Sequence, residues 1–189
     1  MIYEKIVGRR TIRKYKRKDV PEEVLIRCVD AARLSPSAAN RQPLRYIIVN
    51  DGKLLIPVFS TLSWAGYLPD YQPNEEEMPR AYIVILLDKS VSKNKGDDAG
   101  IAAMSICMVA YDYGLGSCIL GAVDRERLGD ILHVPEDLDI VLVVSLGYPA
   151  ETPVADKVVG NDIRYWLDEE GVLHVPKRSF KDIAKWNRY

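Results

Sequence analysis

The run Tyr82-Ile83-Val84-Ile85-Leu86-Leu87 contains no alternation of apolar and polar residues, and Ile140 to Leu146 is a second run of the same kind, interrupted only by Ser145. A strand with one face in water alternates, so a strand that does not alternate must be covered on both faces. Between the two runs, with Asp97 or Asp98 as its cap, GIAAMSICMVAYDY is apolar nearly all round and stops at Gly114 and Gly116. That pattern predicts a helix of the interior. The class that satisfies all three segments is α+β or α/β, with a central sheet covered by helices.

The remaining segments fit around that frame. Pro21, Glu22 and Glu23 read as a first helical turn, and Leu25, Cys28, Val29 and Ala32 repeat at helix spacing until Pro36 intervenes. SPSAANRQP, residues 35–43, is rich in turn formers and leads into the strand Tyr46 to Val49. Residues 50–80 hold Trp64, Tyr67, Tyr71, prolines 69, 73 and 79, and the acidic run Glu75 to Glu77. They read as an irregular lid, with plain surface packing as the alternative. SCILGAV is a further strand, and Asp124 caps a short helix from Arg125 to Leu132. Residues 150–189 show no continuous amphipathic period, so they are expected to dock as an extended arm on a partner subunit, where Leu173 to Val175 could complete a sheet edge. With 189 residues and 48% hydrophobic content, the chain is expected to form one domain over 1–189.

The inventory excludes several chemistries. Two histidines, His133 and His174, without spaced partners argue against a metal site or a histidine triad, and no G-x-S-x-G occurs. Gly114, Gly116 and Gly121 break both nucleotide-loop spacings; the first two fit a tight helix-to-strand turn, whereas Gly121 lets something flat approach the backbone. Cys28, Cys107 and Cys118 lack C-x-x-C spacing and are expected in the core. No apolar run approaches the roughly 18 residues of a membrane span, and the first twenty residues lack a secretory apolar centre. A cytoplasmic protein without membrane contact is expected.

Residues 1–18 nonetheless carry eight lysines and arginines against one acid, Glu4, in a chain of formal net charge -1. A sequence pI near 6.2 speaks against nucleic acid as the partner, so the cations need a local ligand. Arg9, Arg10, Thr11 and Arg13 offer guanidinium forks and a hydroxyl within five residues, enough to surround one phosphate. Lys14, Lys16, Arg17 and Lys18 read as solvated surface. The loop 35–43 supplies Ser35 and Ser37 hydroxyls and Asn40 and Gln42 amides, which suit a heterocycle with alternating donors and acceptors or simply cap a turn.

Taken together, RRTIRKY, SPSAANRQP, DDAGIAAMSICMVAYDYGLGSCILGAV, SLGYP and VPKRSF, in this order, resemble the nitroreductase family of FMN-dependent oxidoreductases. The resemblance implies an α+β fold, a central mixed sheet with helices on both faces, built as an intertwined homodimer with FMN at the interface and the C-terminal arm wrapping the partner. It implies that Arg9, Arg10, Thr11 and Arg13 hold the FMN phosphate, with Lys177 and Arg178 reaching the same group. Pro36, Ser37, Asn40 and Gln42 would reach the flavin from the other subunit, and the backbone at Leu120 and Gly121 would lie beside the isoalloxazine ring. It further implies NAD(P)H as co-substrate, a small-molecule acceptor, no metal, and no catalytic side chain because flavin N5 carries the chemistry. The chain departs from common family patterns at Thr11 in place of serine, at Met104-Ser105 in place of Gln-Asn, and at Leu44 in place of tryptophan.

Overall fold

The computed structural model describes residues 1–68, 70–93 and 96–189, so Pro69 of the expected lid lies outside the described residues. Four strands, β1 (Leu44–Val49), β2 (Ala81–Asp88), β3 (Gly116–Leu120) and β4 (Leu138–Gly147), form a sheet in the order β1-β2-β4-β3. All pairings within it are antiparallel. Parallel pairing enters where Thr11 bridges Ser117 alongside β3, and in a second sheet of three strands.

Helices α2 (Glu22–Arg33) and α4 (Asp97–Asp112) cover one face of the central sheet, and α3 (Gly52–Phe59) and α5 (Arg125–Leu132) cover the other. Residues Ala81 to Leu87 are all buried because alternate side chains serve the two cores: Ile83, Ile85 and Leu87 pack under α2 and α4, whereas Tyr82, Val84 and Leu86 pack with α3 and α5. Fully burying each such aliphatic side chain contributes about 1.5–3 kcal/mol. The inward face of α4 is Ala99, Ala102, Ala103, Ile106, Cys107 and Ala110. Its small side chains let the helix lie close to both the sheet and α2.

Some local expectations are corrected. Gly96, rather than an aspartate, occupies the N-cap position of α4, and Asp98 turns its carboxylate to the backbone N–H of Ala38 instead. Residues 2–8, seen only as part of a basic segment, form helix α1 (Ile2–Gly8). Residues 50–80 contain α3, capped by Asp51, and bury Val58, Leu62, Trp64, Tyr71 and Met78 in the second core. Asp124 does cap α5, accepting from the Arg127 N–H.

In the arm, β7 (Leu173–Lys177) pairs parallel with β5 (Val154–Lys157) and antiparallel with β6 (Trp166–Leu167). It is thus the centre of its own sheet, with β5 along one edge and β6 along Leu173 and His174 of the other. A short helix α6 (Phe180–Ile183) follows.

His174 clasps this small sheet. Its Nδ1 lies 2.5 Å from Asp156 of β5 and its Nε2 3.1 Å from Asp168, while its ring stacks on Trp166 at 4.2 Å. The Asp168 carboxylate, then Asp156, holds the imidazole pKa above its ordinary value. A group raised on folding contributes stability that is full below its unfolded pKa of about 6.5 and is lost as pH rises through the raised value. Amide protection across Leu173 to Lys177, corrected for intrinsic exchange, should therefore fall as pH rises above about 6.5. His174→Gln should flatten that dependence; an unchanged profile would exclude the clasp.

Candidate functional site

The segment 9–15 crosses the ends of β3 and β4. Its hold is one of alternation: Ile12 and Tyr15 are buried, whereas Arg9, Thr11 and Arg13 are partly exposed beside them. The Ile12 N–H donates to the Ser117 carbonyl at 3.0 Å, and the Tyr15 hydroxyl donates to the Ile12 carbonyl at 2.6 Å and lies 2.9 Å from Ser145 Oγ. Two glycines make this crossing possible. A Cβ on Gly116 would stand 2.7 Å from Ile12 Cβ, and one on Gly147 would stand 2.8 Å from the Tyr15 ring. Gly114, with φ of 75°, fits the expected turn; Gly116 instead answers to Ile12.

The charges converge over β3. Burial pushes the Cys118 thiol up to about 11, and the Arg13 and Arg9 guanidinium groups pull against that rise. Burial likewise raises the Cys107 thiol, opposed by a Ser117 hydrogen bond and by Arg9. Arg9 Nε is buried without a hydrogen-bond partner among the described residues. A buried unsatisfied donor costs about 1–3 kcal/mol, and more when charged, so the position fits an anion that accepts from it. Arg13 lies over the Tyr165 ring at 5.1 Å. Arg10 differs from its neighbours, because its guanidinium donates to the carbonyls of Val7 and Arg9 and closes the end of α1. It also lines a cavity of about 230 Å³ with Ile12, Tyr111, Gly116 and Glu151.

The rest of the basic run is partly corrected. Lys14 is not solvated surface: it pairs with Glu77 at 3.1 Å and lies 5.2 Å from the Tyr71 ring centroid. Arg17 pairs with Glu76 on the surface, Lys18 sits 3.9 Å over Tyr148, and Lys16 is exposed.

The amide loop is preformed. Ala39, Asn40 and Gln42 all have positive φ, and the loop is held by Gln42 N–H donating to Ser37 Oγ and by Ala38 N–H donating to Asp98. Asn40 and Gln42 are exposed, as is Pro36. A cavity of about 170 Å³ lies beneath, lined by Ser37, Gln42, Tyr46 and Asp98. Burial, aided by Asp98, pushes the Tyr46 hydroxyl up to about 12. Ser105, at the departure from Gln-Asn, lies 2.7 Å from Ser35 Oγ and ties α4 to the start of this loop.

Loop and arginine segment stand at opposite corners of the sheet. The loop enters β1 at Leu44, opposite Leu87, whereas Thr11 sits beside Ser117, which faces Leu146 and through it Ala81 at the other end of β2. Four strand spacings, from β1 through β2, β4 and β3 to the arginine segment, and six residues along β2 separate them by roughly 19 Å across and roughly 20 Å along. A single chain does not bring these two groups onto one small ligand.

Gly121 is exposed just beyond β3, and a Cβ there would meet only Leu142 at an ordinary 3.8 Å. Nothing among the described residues demands glycine at this place. Leu120 beside it is buried. Sequence reasoning missed Arg125, whose guanidinium donates to the carbonyls of Gly121, Ile140 and Val141 and fixes the backbone at Gly121; its position at the start of α5 was the only signal. Lys177 and Arg178 are exposed at the end of β7, and Arg178 lies near Asp182.

The model of the Nitroreductase family matches residues 6–148, which include the arginine segment, the amide loop and Gly121. The chain belongs to the nitroreductase family. It is 33% identical over 159 residues to a protein of Methanothermobacter thermautotrophicus provisionally named NADH dehydrogenase/NAD(P)H nitroreductase, covering 80% of this chain and 79% of that one. An iodotyrosine deiodinase of Thermotoga neapolitana is 23% identical over 167 residues, covering 79% of this chain and 89% of the relative. Among solved structures, the FMN-dependent nitroreductase of Clostridium difficile R20291 superposes with a TM-score of 0.72 at 25% identity, over 99% of each chain.

Proposed function

We propose that this family member is an FMN-dependent oxidoreductase that works with NAD(P)H and a small acceptor. The observation that carries the reading is Arg9 Nε, buried and unpartnered beside Thr11 and Arg13 in a segment pinned to β3. Bound flavin would supply the redox chemistry, taking a hydride at N5 and passing it to an acceptor such as a nitroaromatic, a quinone or a free flavin in a second half-reaction. The chain's own residues bind and orient. Arg9, Arg10, Thr11 and Arg13 would hold the phosphate, with Lys177 and Arg178 as outer cations. Ser37, Asn40 and Gln42, after Pro36, would meet the polar edge of the ring, and the Leu120–Gly121 backbone, steadied by Arg125, would lie beside it.

Because loop and arginine segment occupy opposite corners, the complete site requires a second copy of the chain, its loop meeting the first copy's arginines. A homodimer is supported by exposed apolar side chains on α1, α2 and α4, among them Ile2, Ile6, Ile26 and Ile101, and by Leu34 just past α2. Among the described residues no helix is long and apolar enough to cross a membrane. A cytoplasmic location is part of the proposal, supported by three buried free cysteines.

A specialised reaction, reductive dehalogenation, is the second reading, favoured by the deiodinase-named relative. A phosphate- or polyanion-binding module without redox activity, the reading from another class that the basic segment allows, is weaker, since Glu77 and Glu76 already pair Lys14 and Arg17. Purified protein should be yellow, release FMN on heating, and consume NADH or NADPH with nitroaromatic or quinone acceptors by parallel-line kinetics. Failure to retain or rebind FMN would overturn the proposal, and turnover confined to halogenated phenols would favour the second reading.

A further inference from the structure

A carboxylate stands where a site for a phosphate dianion should not welcome one. Glu151, four residues past the end of β4, is partly exposed and directs both oxygens inward. Oε1 accepts from the consecutive backbone N–H groups of Arg13, at 2.5 Å, and Lys14, at 3.1 Å. Oε2 accepts from the Tyr71 hydroxyl. Glu151 also lines the same cavity as Arg10 and Gly116. Without a structural role, this charge would only repel the ligand the arginines attract.

Resting on the FMN reading, we propose that Glu151 is the positioning residue of the phosphate cradle and that Tyr71 links it to the 50–80 segment. Two N–H donors on one carboxylate oxygen fix the peptide between Arg13 and Lys14, and with it the direction in which Arg13 leaves the backbone. That guanidinium is further held over Tyr165, whose own hydroxyl accepts from the Tyr67 N–H at 3.2 Å and whose ring packs on Tyr67 at 4.9 Å. Tyr71 completes the bracket from a segment remote in sequence. Burial and the adjacent carboxylate raise its hydroxyl above the ordinary tyrosine range, so it remains a donor at neutral pH. Lys14, paired with Glu77 and lying over Tyr71, offsets the carboxylate's charge locally. The cradle is thereby set by contacts from the 50–80 segment and from the start of the arm.

The test is titration of the flavin-stripped full chain with FMN and with riboflavin, which lacks the phosphate, together with amide exchange at Arg13 and Lys14. Glu151→Ala should weaken FMN about tenfold or more, a factor of ten being about 1.4 kcal/mol, and leave riboflavin within about threefold. Glu151→Gln, which keeps an acceptor for both N–H groups, should stay within about threefold of the parent for FMN. Tyr71→Phe should speed exchange at both amides by more than any fall in global stability accounts for. If Glu151→Ala and Glu151→Gln both tighten FMN binding, the carboxylate is only an unfavourable charge and the proposal fails. It also fails if FMN and riboflavin weaken together. Should the parent protein bind no FMN, the cofactor reading falls, and unchanged exchange in Glu151→Ala separately removes the bracket.

Discussion

Replacing Arg9 with methionine should raise the dissociation constant for FMN at least 100-fold, about 2.7 kcal/mol, while leaving riboflavin binding within about threefold. The magnitude follows from the Nε donor that the protein leaves buried and unsatisfied. One charge-assisted hydrogen bond contributes about 1.5–3 kcal/mol, and the guanidinium can make more than one to a phosphate. The same substitution should leave the flavin-free protein as stable as its parent or slightly more stable, since it removes an unpaired polar atom while keeping most of the apolar stem. Thermal unfolding with and without FMN separates these effects, because stabilisation by ligand scales with the logarithm of its concentration over Kd. A parent-like FMN-dependent rise in unfolding temperature in Arg9→Met would remove Arg9 from the phosphate site. Arg10→Met supplies a contrast: its guanidinium closes α1, so part of its cost should appear in the flavin-free protein.

How much of the fold was legible followed from how strongly each segment was constrained by burial. Tyr82 to Leu87 could be recognised as doubly covered because both of its faces meet apolar cores, which removes all alternation. Asp124 and the helix after it were legible because capping is a local interaction. Helix α1 was not legible, since none of its residues is buried and its exposed Ile2, Ile6 and Val7 carry no core-facing stripe against a folded monomer. Helix α3 was hidden by Pro57 inside GKLLIPVF. There the burial of Leu55 and Val58 under the sheet overrides local propensity. The arm's strand β7 was visible as an apolar run, but its partners β5 and β6 are too short and too exposed to declare themselves.

Site residues divide along the same line. Arg9, Thr11 and Arg13 are side-chain donors clustered within five residues, so their chemistry is written locally. Glu151 and Tyr165 act through contacts with residues far along the chain, and Arg125 ties nearby Gly121 to Ile140 and Val141 of β4, so nothing in their immediate neighbours marks them. Gly116 was legible as a glycine but not for its reason. Its neighbour across space, Ile12, belongs to a segment more than a hundred positions earlier, brought there by the Thr11–Ser117 bridge.

That reason yields the second large effect. Gly116→Ala should destabilise the protein by about 3 kcal/mol, because the new methyl carbon would sit 2.7 Å from both Cβ and Cγ1 of Ile12 and 2.8 Å from Cγ2. These atoms are the root of a β-branched side chain, stiff at χ1, so relief requires the backbone to move rather than a rotamer to turn. For a chain of this size the loss corresponds to roughly 6–12 °C in unfolding midpoint. The segment that must retreat is the one carrying Thr11 and Arg13, so FMN affinity should fall with stability even though residue 116 offers the phosphate no side chain. Gly121→Ala is the control: its methyl group would meet only Leu142 at 3.8 Å, so stability should change by no more than about 0.5 kcal/mol. Any loss of flavin affinity in that variant then reports on the ligand side alone. Gly116→Ala combined with Ile12→Ala should cost less than the sum of the two single changes, because the contacts to Cγ1 and Cγ2 go while the Cβ contact at 2.7 Å remains, a coupling of the kind expected between residues in contact. A Gly116→Ala protein as stable as its parent would mean that the crossing of segment 9–15 over β3 is looser than the packing of Ile12 requires.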